Sequence, residues 1–208
     1  MSETLRKGEQ TRQAIIELAA PIFNRRGFTA CSLAEIMEAT GLEKGGIYRH
    51  FAGKDELAEE VFRYSARRAF EVRGIGGAEE GDALTRLRLM IARFIDVPSP
   101  IPGGCPLLNT AIDCDDGNPA LRKLAARAFA AWKRRIRRVI EQGIEEGVIQ
   151  PAADAESLAT VLIATLEGAL ALTRVERKQE ALRHAQTFLE GLLDQIAVKQ
   201  KTRSRKPS

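Results

Sequence analysis

Chemistry in this 208-residue chain is concentrated between positions 44 and 54, where Lys44, Tyr48, Arg49, His50 and Lys54 offer hydrogen-bond donors within one short stretch. Donors at this density suit phosphate oxygens and base edges, and Gly45 and Gly46 among them allow a close backbone approach. Other chemistries find no matching pattern. There is no GxSxG, no phosphate-binding loop, no GxGxxG after a strand and no HExxH, and the GIGG at 74–77 does not qualify. With His50 and His184 the only histidines, a Cys/His catalytic pair has no second candidate, so the expectation is a protein that is not an enzyme. Cys31, Cys105 and Cys114 are an odd number without CxxC spacing, which implies neither a metal site nor a disulfide framework, and no cofactor is expected. Cys105 lies in PGGCPLLN, at the start of a short helix whose dipole would lower its thiol pKa, making it a candidate redox-sensitive thiol.

The elements that position these residues are helical throughout. Ile15, Ile16, Ala19, Ala20 and Phe23 line one side of a helix predicted from about Thr11 to Arg26, stopped by Gly27 and kinked by Pro21. Ser32 followed by Glu35 reads as a capping box that starts a helix at Leu33, and Gly41 ends it after Thr40. A few residues later comes a helix from Lys44 to about His50, with Ile47 and Phe51 inward. A fourth, Lys54 to about Val72, carries Leu57, Val61 and Phe62 on its core side. Gly74, Gly76, Gly77 and Gly81 then mark a boundary. Beyond it the spacing predicts helices over Ala83–Asp96, Leu107–Cys114, from Pro119 (capped by Asn118) to about Glu146, from Asp154 to about Arg174, and over Gln179–Lys199. No period-2 alternation appears. The fold class is therefore all-α, with about nine helices: a tri-helical helix-turn-helix unit plus a linking helix in residues 1–73, a helical unit in 74–198, and a basic, disordered tail in 199–208.

The segment FTACSLAEIMEATGLEKGGIYRHFAGKDEL, Phe28 to Leu57, resembles the N-terminal DNA-binding domain of TetR-family transcriptional regulators. The likeness runs through about residues 11–57, and its most specific part is Gly45–Phe51 followed by Lys54. The resemblance implies that Tyr48, His50 and Lys54 grip backbone phosphate and that Lys44 and Arg49 reach base edges. Ser32 either presents its hydroxyl to a phosphate or acts purely as a cap. Many relatives carry a side chain where Gly46 stands, so readout here falls to Lys44, Arg49 and DNA shape. The resemblance also implies a C-terminal ligand-binding and dimerisation domain, a palindromic double-stranded DNA operator, and a homodimeric repressor released by a small-molecule or thiol-reactive effector. Phe94, Leu108, Ile112, Phe129, Trp132 and Leu166 are then either pocket walls or plain core. The alternative is a helical small-molecule or redox sensor that acts through a protein partner without binding DNA.

Composition bounds these readings. A hydrophobic fraction of 44% and a charged fraction of 29% exclude collagen-like and predominantly disordered chains. The net charge of +4 belongs to the tail: without Lys199, Lys201, Arg203, Arg205 and Lys206, 27 basic groups face 28 acidic ones. Arg122 to Arg138 is densely basic, but its charges flank an apolar line and read as a solvated face. The first residues have no apolar leader-like run, and Leu158–Leu172, interrupted by Glu167, falls short of the roughly 20 residues that span a bilayer, so a cytoplasmic protein without a membrane partner is expected. If the donors at 44–54 neutralise phosphates, DNA affinity must fall steeply with ionic strength; a gel-shift salt titration that leaves affinity unchanged contradicts phosphate contact.

Overall fold

The computed structural model describes residues 7–73 and 81–199, in which nine α-helices and one isolated β-bridge are the regular elements. The helices are α1 (Lys7–Arg26), α2 (Leu33–Thr40), α3 (Lys44–Tyr48), α4 (Lys54–Val72), α5 (Ala83–Asp96), α6 (Pro106–Asp113), α7 (Pro119–Glu145), α8 (Ala155–Glu176) and α9 (Glu180–Ile196). The expected boundary glycines at 74, 76 and 77 and the tail from 200 lie outside the described residues.

Where local side chains satisfy the free amides of a first turn, the helix starts match the sequence. Ser32 Oγ accepts from Glu35 N, Asn118 Oδ1 from Leu121 N, and Asp154 Oδ1 from Glu156 N and Ser157 N. Other limits move. The first helix begins at Lys7, not Thr11, and continues through Pro21. The third ends at Tyr48, not His50, because two glycines in five residues weaken it and Phe51, 2% exposed, is drawn into the core. The last stops at Ile196, short of Lys199, because the chain leaves helical geometry to pair with the segment before α8: Gln150 N donates to Ile196 O at 2.9 Å and Val198 N to Val148 O at 2.9 Å. The eighth outlasts the apolar run expected to end at Leu172; at 22 residues it is long and apolar enough, by length and composition alone, to cross a membrane. Leu162 and Leu166 on its inner side join the core with residues of α7 and α9.

Two hydrophobic cores form, and α4 contributes to both. Ile15, Ile16, Ala19, Ile36, Ile47 and Phe51 surround Leu57 and Val61, whereas Ala58, Phe62 and Ala66, on another face of the same helix, join the larger core built from α5 to α9. A second joint is polar. Asn24 of α1, buried, donates through Nδ2 to the carbonyls of Ile101, Pro102 and Gly104 at 3.3, 3.1 and 3.2 Å. Asn109 of α6 donates in return to Asn24 O at 2.9 Å and Asn24 Oδ1 at 3.0 Å. Beside it, Phe28 N donates to Asp113 Oδ2 at 2.5 Å. Gly27 permits this approach: its φ is +82°, and a Cβ there would lie 2.5 Å from Asp113 Oδ1.

Packing is equally close at Gly143, where a Cβ would come within 2.6 Å of both Ala83 Cβ and Ile149 Cδ1. Glycine to alanine within a helix ordinarily stabilises by up to about 1 kcal/mol, but overpacking costs about 1–3 kcal/mol. Gly143→Ala is therefore expected to lower the urea midpoint, while Gly8→Ala, where a Cβ meets nothing within 4 Å, leaves it unchanged or raises it. A stabilised Gly143→Ala protein contradicts the packing.

Candidate functional site

The donors singled out from sequence gather on one surface, built by α2, the glycine turn and α3. Gly41, at φ +66°, closes α2 with its N–H on Met37 O at 2.9 Å, and the turn delivers Glu43 to the start of α3. Ile47, 1% exposed, anchors α3 and leaves its other side outward: Lys44, Gly45, Tyr48 and Arg49 are exposed, and Gly46 and His50 are half-buried. Lys44 Nζ lies 5.7 Å from the centre of the Tyr48 ring, one turn along. Lys54 does not swing free. Its Nζ sits 4.7 Å from the Phe28 ring centre and donates to Thr29 O at 3.4 Å, so the loop after α1 holds it near α3. Ser32 is engaged as a cap on both sides, for Ser32 N and Oγ donate to Glu35 Oε2 at 2.9 and 3.0 Å while Oγ accepts from Glu35 N. These bonds from Ser32 hold the Glu35 carboxyl below the usual carboxylate range.

Nothing among the described residues demands the two glycines of α3. A Cβ at Gly45 would meet nothing within 4 Å, and one at Gly46 would make an ordinary contact with Leu42 at 3.5 Å. Alanine would strengthen the helix at both positions. Their smallness leaves the backbone open toward whatever lies outside it. The acids of α4 are meanwhile tied up: Arg63 pairs with Glu59 at 2.8 Å and with Glu60 at 3.0 Å, and Arg12 reaches Glu60 at 3.4 Å.

A second feature is an open cleft of about 590 Å³ between α6, α7 and α8. Of the six expected pocket residues, Leu108, Ile112 and Phe129 line it. Phe94, Trp132 and Leu166 do not; they close around a core void of about 10 Å³ with Leu87, Met90 and Ile136. The Trp132 ring joins the two groups, stacking at 5.6 Å on Phe94 and at 6.4 Å on Phe129. A separate, more polar hollow of about 480 Å³ is bordered by Arg73, Thr173 and Arg174 and also by Phe94. In the basic stretch of α7, Lys133 is bound to Glu156 at 2.7 Å and Arg137 to Glu141 at 3.2 Å, while Arg122, Lys123, Arg127, Arg134 and Arg138 are exposed.

Comparison with known proteins agrees with both halves. Residues 15–61 match the family described as bacterial regulatory proteins, tetR family, and residues 83–189 match the tetracyclin repressor-like C-terminal domain. The chain is 40% identical to a TetR transcriptional regulator from Chloroflexus aurantiacus, covering 93% of this chain and 98% of that one with a TM-score of 0.87. The chain belongs to the TetR family. A TetR-family regulator from Cytophaga hutchinsonii is 34% identical, with 95% and 100% covered and a TM-score of 0.87. The transcriptional repressor DhaR of Mycobacterium sp. (strain GP1) is 26% identical over 82% of this chain and 86% of its own. The protein is thus a DNA-binding transcriptional regulator, which sets aside the alternative of a sensor that works without DNA.

In this TetR-family chain, the reading of Cys105 as an activated thiol is corrected by the structure. Cys105 does stand at the N-cap of α6, but it is 2% exposed, and its pKa is pushed up to about 12. Burial is the main cause, with the nearby Glu167 carboxylate adding to it against the opposing charge of Arg73. Desolvation of a thiolate outweighs the end of an eight-residue helix. Burial also pushes up Cys31 and carries Cys114 to about 11. What sequence reasoning missed is Glu167, an inner cleft residue only 4% exposed. Its signal was there: it is the lone acid in the apolar run Leu158–Leu172.

A raised pKa means that thiolate appears only as pH climbs toward the folded value, so at pH 8 Cys105 is held as the thiol. Alkylation of the folded protein at pH 8, read by mass spectrometry, is expected to leave Cys105 unmodified and to label it rapidly after denaturation. Rapid labelling of the folded protein contradicts the burial.

Proposed function

We propose that this regulator is a homodimeric repressor acting in the cytoplasm, released from a palindromic operator when a small molecule occupies the cleft between α6, α7 and α8. The observation that carries this reading is the two-sided role of α6. Leu108 and Ile112 wall the cleft. Asn109 and Asp113, on the same helix, bond to Asn24 and Phe28 at the end of α1. A ligand that displaces α6 moves the helix that supports α2 and α3, and it releases DNA to the extent that it binds the displaced state more tightly.

On DNA, each α3 enters a major groove. Tyr48, His50 and Lys54 hold phosphates, Lys44 and Arg49 reach base edges, and the unencumbered Gly45 and Gly46 let the backbone close on the duplex. Ser32 serves as a cap whose helix end faces the same partner. Dimerisation is supported by exposed apolar side chains on the last two helices: Leu172 and Val175 of α8, 53% and 82% exposed, and Phe188 of α9, 59% exposed. Pairing those helices with a second copy buries this surface and spaces two α3 helices for successive grooves. The name of the relative DhaR supports repression as the output.

Gel shifts and footprinting on the DNA upstream of its own gene test the reading. Arg49→Ala and Lys44→Ala are each expected to weaken binding by about tenfold or more, and the protected region is expected to be two-fold symmetric. Unchanged affinity in both variants, or an asymmetric footprint, contradicts it.

A further inference from the structure

The geometry points to an amphiphilic organic cation, an apolar body carrying an ammonium-type headgroup, as the ligand class of the α6–α7–α8 cleft, with Glu167 as the residue that selects the headgroup. This rests on reading the cleft as the effector site and goes further by naming the chemistry of its occupant.

The walls of the cleft are almost wholly apolar. Leu108 and Ile112 of α6, Phe129 of α7 and Ile163 of α8 form its sides, with the small residues Ala164 and Gly168 leaving room between them. A volume of about 590 Å³ falls in the range that drug-sized ligands fill. Against this apolar lining stands one buried acid. Glu167 is 4% exposed, and among the described residues neither of its buried carboxylate oxygens has a hydrogen-bond partner of good geometry. The donor that faces it is the Cys105 thiol, a weak one, so the buried carboxyl group remains under-satisfied, which is costly. Arg73, the cation that acts on it electrostatically, forms no ion pair with it; its guanidinium lies 4.1 Å from the centre of the Phe94 ring. Lys133, the cation among the cleft's lining residues, is held by Glu156 at 2.7 Å. Among the described lining residues the unmet demand is therefore for donors and positive charge. An ammonium supplies both, and its hydrogen bonds to a carboxylate are charge-assisted. An anionic ligand would set its charge against Glu167 with Lys133 already paired.

The groups facing Glu167 are the Cys105 thiol at the start of α6, Arg73 at the end of α4 and Lys133 across the cleft. Burial raises the Glu167 carboxyl group above its ordinary pKa. A bound cation would lower it again, so binding near that pKa is accompanied by proton release.

The test uses the full chain and three probes with one hydrocarbon chain: decylammonium, 1-decanol and decanoate, all below micelle formation. Trp132 is the chain's single tryptophan and stacks on the cleft residue Phe129, so its fluorescence reports occupancy. Decylammonium is expected to bind at about tenfold lower concentration than decanol, and decanoate more weakly than either. In Glu167→Gln, decylammonium and decanol are expected to bind within about twofold of each other, with decanol affinity as in the parent. Equal midpoints for all three probes in the parent protein would overturn the headgroup assignment while keeping the cleft as a ligand site, as would a preference for decylammonium that survives Glu167→Gln. No fluorescence response to any probe would overturn both this inference and the cleft as effector site. Should Glu167→Gln fail to fold, as judged by circular dichroism, the headgroup order in the parent protein decides alone.

Discussion

The polar seam where α1 meets α6 joins the helix that supports α2 and α3 to a helix that lines the cleft. Its strength is polar: Asn24 and Asn109 bond to each other and to five backbone carbonyls around them, those of Asn24, Ile101, Pro102, Gly103 and Gly104, and the Asp113 carboxylate takes the Phe28 amide. Buried hydrogen bonds of this kind are directional, so they tolerate less sliding than an apolar contact of equal area. Gly27 makes the seam possible, since any side chain there would collide with Asp113. A small shift of α6 therefore cannot be absorbed by loose packing at α1.

The other connection between the halves, α4, works differently. Its Leu57 and Val61 belong to one core and its Ala58, Phe62 and Ala66 to the other, so it stands as a rod anchored in both. The rod and the seam meet in a cluster of buried polar groups: Arg73 at the end of α4, Cys105 at the start of α6 and Glu167 on α8. Charges held so far from water are sensitive to any change in their neighbours, and each of these three sits on an element that borders a cavity or the seam. Cys105 is quiet for the same reason, because the surroundings that bury Glu167 also suppress its thiolate.

How far the sequence could be read depends on the range of the interaction involved. Ser32 with Glu35, Asn118 and Asp154 announced their helices because a cap needs only residues two or three places away. The end of α3 was misplaced by two residues because Phe51 is pulled inward by contacts with residues far along the chain. Helical spacing identified Phe94, Trp132 and Leu166 as inward-facing, correctly, but periodicity gives a face and not the neighbour opposite it. Leu108, Ile112 and Phe129 share the same pattern and line the cleft instead. Cys105 was placed at the right helix start and given the wrong reactivity, since the dipole is local and desolvation is not.

The sequence by itself determined the all-α architecture and the donor-rich α3 with its two glycines. These follow from periodicity, capping and residue type, which act over at most a few turns of helix. Only the tertiary structure decided that α6 lines the cleft and also bonds to α1, that Lys54 is held against Phe28, and that Glu167 is buried at an apolar cleft with the Cys105 thiol and Arg73 near its carboxyl group. Each of these depends on which distant segments exclude water from a group, and solvent exclusion is a property of the assembled core that no local run of residues encodes.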